Sequence, residues 1–206
     1  MKLYLSSYRL GNKKEELKKW IEEHGNKICL IPNAKDFIDD NDLKKEKINK
    51  DVIELEELGF KVEVISLSDY FSNQEELYKK LKEFNAFYVI GGNVFTLRKS
   101  YYLSGFDKYL ETLKNNDNYL YAGYSAGICV LGKTLHGLEL CDNPNLDNYN
   151  IDPIWTGLNF FDYTFLPHYK SNHKETELID KVLSYCIENK MNYKTLSDGD
   201  VIIANI

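Results

Sequence analysis

Apolar runs of strand length alternate along this chain with segments in which apolar residues recur every three or four positions. The runs predict strands over residues 2–7, 27–32, 61–67, 86–90 and 119–122, then 163–166, a short one near Thr195, and 201–206. Between them the longer period predicts helices. One covers residues 13–24, with Leu17, Trp20 and Ile21 on a single face, Asn12 as its cap and Gly25 as its stop. Another runs from about Leu43 to Leu58 and ends at Gly59. Ser72 followed by Glu75 reads as a capping box for a helix through Leu81 and Phe84. Further helical stretches fall at 95–102, 107–114 and 174–189. Strictly alternating strands and helices predict an α/β fold in three layers, α/β/α, with a mostly parallel sheet covered on both faces. No Pro/Gly/Ser-rich linker, repeat or low-complexity tract interrupts the 206 residues, so a single domain over 1–206 is expected.

Composition narrows the function classes. With 26 basic residues against 32 acidic ones the net charge is −6, and the lysines are spread over several helices instead of forming a stripe. Nucleic acid is therefore not an expected partner, and Arg9 and Arg98 are the only arginines available for bidentate phosphate or base recognition. No apolar run is long enough to span a bilayer, and Met1 leads straight into the first strand without a signal-peptide pattern. A cytoplasmic protein without membrane contact is the expectation, as a monomer or homodimer. Cys29, Cys129, Cys141 and Cys186 are scattered without a CxxC pair, which suits reduced thiols better than a metal or a disulfide frame.

Chemistry enters at the end of the fifth predicted strand, where Gly123-Tyr124-Ser125-Ala126-Gly127 opens a short helix. A serine hydroxyl is a poor nucleophile unless it is exposed, aligned with a base and faced by donors for the oxyanion it creates. Gly-x-Ser-x-Gly on a strand-to-helix turn supplies the exposure, and the helix starting at Ala126 directs free N–H groups at the reacting oxygen. Among the four histidines, His168 is the candidate base, because Pro167 cuts the strand before it and leaves the imidazole just past a carboxyl end. His24 and His136 read as ordinary helix-end or loop histidines. Asp198, in Ser197-Asp198-Gly199, or its rival Asp200 would hold the imidazole. An acid that follows the histidine departs from the common α/β-hydrolase order. Gly91-Gly92, after the fourth strand, would admit a substrate close to the backbone, so Gly92 or Asn93 is the candidate second oxyanion donor. Neither a Gly-x-Gly-x-x-Gly nor a Walker pattern is present.

Together, Ile90-Gly91-Gly92-Asn93, Gly123-Tyr124-Ser125-Ala126-Gly127, Pro167-His168-Tyr169 and Leu196-Ser197-Asp198-Gly199 resemble the aspartyl dipeptidase (peptidase E) family of serine peptidases over nearly the whole chain. The resemblance implies a flavodoxin-like fold similar to the class I glutamine amidotransferase domain, with serine in place of cysteine. It also implies Ser125 as nucleophile, His168 as base, Asp198 as third member, and the backbones of Gly92 and Ala126 as oxyanion hole. Small peptides are the implied substrates and no metal or organic cofactor is needed. Two departures bear on specificity. Leu140-Cys141-Asp142-Asn143-Pro144 stands near the family's Thr-Asn-Asp-Met-Pro, and Lys174-Glu175-Thr176-Glu177 near its arginine-containing helix. An acidic substrate needs a cation, for which Lys170, His173 and Lys174 are the nearby candidates, with Asn93 as a further substrate contact. Hydrolysis of another acyl or isopeptide bond, or a silent binding module on the same fold, are the alternative readings.

Overall fold

The computed structural model describes residues 1–146 and 149–206. Its central sheet has six strands in the order β3-β2-β4-β5-β1-β8. These are β1 (Lys2–Ser6), β2 (Lys27–Ile31), β3 (Lys61–Val64), β4 (Ala86–Val89), β5 (Leu120–Tyr124) and β8 (Val201–Asn205). All neighbours run parallel except β8, which lies antiparallel against β1. A second, two-stranded parallel sheet joins β6 (Thr164–Leu166) to β7 (Tyr193–Thr195). This βαβ unit, whose crossover is the last long helix, forms a sheet of its own but packs into the same core as the main sheet.

Both faces of the main sheet are buried along its four inner strands. Along β4, Phe87 and Val89 enter one core while Ala86 and Tyr88 enter the other. Helices α1 (Lys14–His24) and α2 (Asn41–Leu58) cover the second face with Leu17, Trp20 and Leu55. The first face is covered by α3 (Gln74–Leu81), α4 (Val94–Ser104), α5 (Phe106–Leu113) and α7 (Thr176–Glu188), with the four-residue α6 (Ala126–Cys129) beneath them. Each fully buried large side chain contributes about 1.5–3 kcal/mol, so this two-sided burial is the main source of stability. The arrangement is the predicted three-layer α/β/α fold.

Local signals differ in detail. Asp40 caps α2, accepting from the N–H groups of Asp42 and Leu43, and Gly59 ends it in the left-handed region at φ 111°. The capping box of α3 sits one residue later than Ser72 and Glu75: the Asn73 side chain accepts from the Glu76 N–H and donates to its carboxylate. Asn12 does not cap α1, whose N-cap is Lys13 without a side-chain bond; its amide packs against Gly199 instead. Among the described residues, no helix is long and apolar enough to cross a membrane.

Candidate active site

Strand β5 ends in a turn that leaves Ser125 at φ 50°, ψ −117°, a conformation an L-residue holds only when its surroundings over-determine it. Those surroundings are visible. A Cβ on Gly123 would lie 2.9 Å from the Val89 carbonyl oxygen, and one on Gly127 closer still to the same atom. Beneath the turn the buried Tyr121 hydroxyl donates to Gly127 O at 2.6 Å, with the Tyr101 hydroxyl 3.1 Å away on its other side.

Beside the serine runs the loop after β4. A Cβ on Gly91 would come within 2.9 Å of Ser125 Cβ, and one on Gly92 (φ 157°) would enter the Ala34 carbonyl. The N–H groups of Gly92 and Ala126 find no acceptor among the described residues. Asn93 is differently employed: its N–H donates to Ala34 O at 2.7 Å, its side chain caps α4 through the Thr96 N–H, and its amide donates to Asn143 O. Asn93 is buried at 4% exposure and lies off the cavity wall, and its N–H, already given to Ala34, is not free for an oxyanion.

The imidazole comes from the small sheet. Because β6 and β7 are parallel, both carboxyl ends reach one rim, His168 two residues beyond β6 and Asp198 three beyond β7. His168 Nδ1 lies 2.7 Å from Asp198 Oδ1, and the residue, 1% exposed, sits at φ 61°. Asp200 is turned away to accept the Ser197 N–H at 2.8 Å, so of the two candidate acids it is Asp198 that meets the ring. His24 and His136 are stacked on Trp20 and Trp155, as ordinary structural histidines.

Ser125, Gly91, Gly92 and His168 line a common cavity of about 290 Å³. Among the described residues no hydrogen bond joins the Ser125 hydroxyl to the imidazole; such contacts are commonly long in resting enzymes and tighten on binding. His173 and Lys174 also reach the cavity wall, whereas Lys170 is exposed outside it, its ammonium 5.2 Å from the Tyr169 ring. His173 stacks on His168 at 3.7 Å, and burial followed by the neighbouring imidazole lowers its pKa.

Residues the motifs did not indicate complete the walls. Arg9, Lys35, Lys47 and Lys50 join Lys174, facing the carboxyl groups of Asp51, Asp142 and Glu175. Desolvation raises the pKa of Asp142 to about 7 and that of Asp51 to about 6. Tyr124 donates to Asp51 at 3.1 Å, and Lys35 donates to Gly91 O at 2.8 Å. No local pattern marks these groups, because they come from α2 and from turns that meet only in the fold.

Ligand atoms of His168, His173 and Glu175 lie within 4.8 Å of one another, the spacing of a metal site. Two features speak against one. Imidazoles stacked with a 9° interplanar angle direct their lone pairs in parallel instead of toward one point, and His173 Nδ1 already accepts the Glu175 N–H at 3.2 Å.

Comparison with known proteins bears on the chain as a whole. The model of peptidase family S51 matches residues 4–205. An uncharacterized peptidase of Listeria monocytogenes is 31% identical over 135 residues, an alignment spanning 63% of this chain and only 60% of that protein. Among solved structures, a protein of the same organism described as a peptidase E candidate superimposes with a TM-score of 0.75 at 24% identity, over 100% of this chain and 98% of its own. A peptidase from an acI-B1 actinobacterium gives 0.64 at 16% identity, over 99% of this chain and 83% of that one. At those identities the superpositions speak for the fold.

Proposed function

The chain belongs to peptidase family S51, and from that premise we propose that it is a serine peptidase cutting short peptides through an acyl-enzyme on Ser125. The observation that carries this reading is the 2.7 Å pairing of His168 Nδ1 with Asp198 at the rim of the cavity that holds the Ser125 elbow. With Nδ1 protonated toward the carboxylate, Nε2 is left with its lone pair for the serine proton. Ser125 Oγ attacks the scissile carbonyl carbon as its proton passes to Nε2, and the carbonyl oxygen becomes an oxyanion facing the N–H groups of Gly92 and Ala126. The imidazolium then protonates the departing amine, the C–N bond breaks, and the acyl group stays on Ser125. Water, deprotonated by the same imidazole, releases the acid.

The walls favour a small anionic substrate. A cavity of about 290 Å³ suits a peptide of two or three residues, and five cationic side chains face three carboxyl groups around it. Positive charge on this wall comes from Lys35 and Lys47, from Arg9, which also pairs with Glu54, and from Lys50, which also pairs with Glu46. An N-terminal aspartate is the substrate residue this wall fits best.

The test is the Ser125→Ala variant with a fluorophosphonate probe and a dipeptide library. Wild type should be labelled on Ser125 and should cleave Asp-X dipeptides ahead of neutral ones, while the variant keeps its circular dichroism and loses both reactions. Undiminished hydrolysis in the variant would refute the nucleophile; a wild type inert to the probe would favour a silent module.

A further inference from the structure

Ser7 directly follows β1 and is completely buried, outside the cavity wall. Its single hydroxyl nevertheless touches both partners of the imidazole–carboxylate pair. The oxygen accepts the backbone N–H of His168 at 2.8 Å. The hydroxyl has two acceptors for its hydrogen, Asp198 Oδ1 at 2.9 Å and, farther off, the Leu196 carbonyl at 3.2 Å. Oδ1 is the same carboxylate oxygen that receives His168 Nδ1–H. The Ser7 N–H donates to Asp200 O at 3.0 Å, which pins the turn carrying Asp198 from its far side.

A buried hydroxyl that merely fills space bonds to whatever carbonyl is at hand. Here, beside the Leu196 carbonyl, the two shortest contacts go to the two members of the pair, brought from 161 and 191 positions away. His168 moreover sits in the left-handed region, where a non-glycine backbone needs an external hold. We propose that Ser7 is a positioning residue for the His168–Asp198 pair, an inference that rests on the serine-peptidase reading above. It holds the His168 backbone at positive φ and keeps Asp198 Oδ1 in line with Nδ1, so that Nε2 presents its lone pair to Ser125. Without the hydroxyl the carboxylate loses one of its donors and is free to rotate, and the imidazole spends less time in the reactive tautomer and orientation. Since Ser7 meets no substrate, its loss lowers kcat and leaves KM nearly unchanged.

The experiment is a double-mutant cycle on the full chain with Ser7→Ala and Asp198→Ala, read by the rate of fluorophosphonate labelling and by hydrolysis of p-nitrophenyl acetate. Ser7→Ala alone should slow both by about ten- to a hundredfold, part of what a positioned base contributes. In the Asp198→Ala background the same change should cost severalfold less than in wild type, because the part acting through Asp198 is gone and only the hold on the His168 backbone remains. Ser7→Thr, which keeps the hydroxyl, should recover most of the rate. A Ser7→Ala rate within twofold of wild type, or an equal loss in both backgrounds, would overturn the proposal. Proton NMR gives a readout independent of turnover: the downfield Nδ1–H resonance should be sharp in wild type and broadened or lost in Ser7→Ala. Should Ser7→Ala fail to fold, Ser7→Cys serves in its place. A wild type never labelled on Ser125 would defeat the serine-peptidase reading, while an unchanged Nδ1–H signal would defeat the role of Ser7.

Discussion

Val89 contributes one carbonyl oxygen that dictates two residues of the elbow. Alanine at a helical glycine ordinarily gains about 1 kcal/mol, but at Gly127 its methyl would collide with that oxygen, which belongs to a central strand and cannot retreat. Overpacking costs about 1–3 kcal/mol or more, so Gly127→Ala should lower stability in a urea titration and reduce Ser125 labelling together. A second residue-level outcome concerns pH. Burial raises Asp142 from 3.8 to about 7 while its carboxylate accepts the Val94 N–H at 2.8 Å. A raised folded pKa means that the folded state holds the proton longer than the unfolded chain. Stability is therefore greatest below about pH 4 in this group's contribution and declines as pH rises to about 7, by an amount on the order of a few kcal/mol. Asp142→Asn keeps the acceptor and removes the proton, so its melting temperature should vary less between pH 5 and 8 than that of wild type; Asp51, raised to about 6, leaves a residual slope of the same sign. His173, whose pKa is lowered, contributes a slope of the opposite sign, so the check is the comparison: an identical pH dependence in wild type and Asp142→Asn would contradict the Asp142 assignment. Ser125, His168 and Asp198 were legible as candidates because each sits in a motif where a strand stops, whereas Ser7, also at a strand end, has no motif around it and Asp51 lies within a helix. Asn93 misled because its glycine-rich neighbourhood resembles a donor loop, and only coordinates reveal that its N–H is already given to Ala34.

At the scale of elements, period and punctuation located nearly every helix and strand, and errors collect where a side chain had two possible duties. Ser72 and Asn73 both precede an acidic residue by three positions, and the fold uses the asparagine. Asn73→Ala should cost about 1 kcal/mol of stability in denaturant titration, whereas Ser72→Ala should be nearly neutral; the reverse order would mean that α3 starts one residue earlier. Asn12 had a plausible capping position as well, but the close approach of the turn at Gly199 occupies its amide. The predicted strand at 61–67 stops at Val64, and Leu67 enters a 3-10 turn with its side chain buried in the core. Hydrophobicity alone cannot separate these outcomes, since a buried turn and a buried strand end look alike in sequence.

For the molecule as a whole, charge is unevenly distributed. A chain of net charge −6 surrounds its cavity with a surplus of cations. Attraction of an anionic peptide into such a cleft is screened by salt, so kcat/KM for an aspartyl dipeptide should fall between 20 mM and 500 mM sodium chloride, given a Debye length shrinking from about 20 Å to about 4 Å. For a neutral dipeptide it should hardly change, and equal salt sensitivity for both would remove the cations from substrate recognition. This asymmetry could not be read from composition, because α2, the turns after β1 and β2 and the segment before α7 bring their cations together only after the sheet has ordered them. The mostly parallel architecture was legible from the alternation of elements, but the separation of β6 and β7 was not, since nothing in a short apolar run says which sheet it joins.

That separation divides the chemistry between two supports. The proposed nucleophile is anchored in the middle of the large sheet, while its proton acceptor and the accompanying acid hang together from a pair of three-residue strands. Short ladders open at lower free energy than a protein's central strands. Mild denaturant should consequently silence the enzyme well before tyrosine fluorescence or circular dichroism registers any collapse, and dilution should restore it at once.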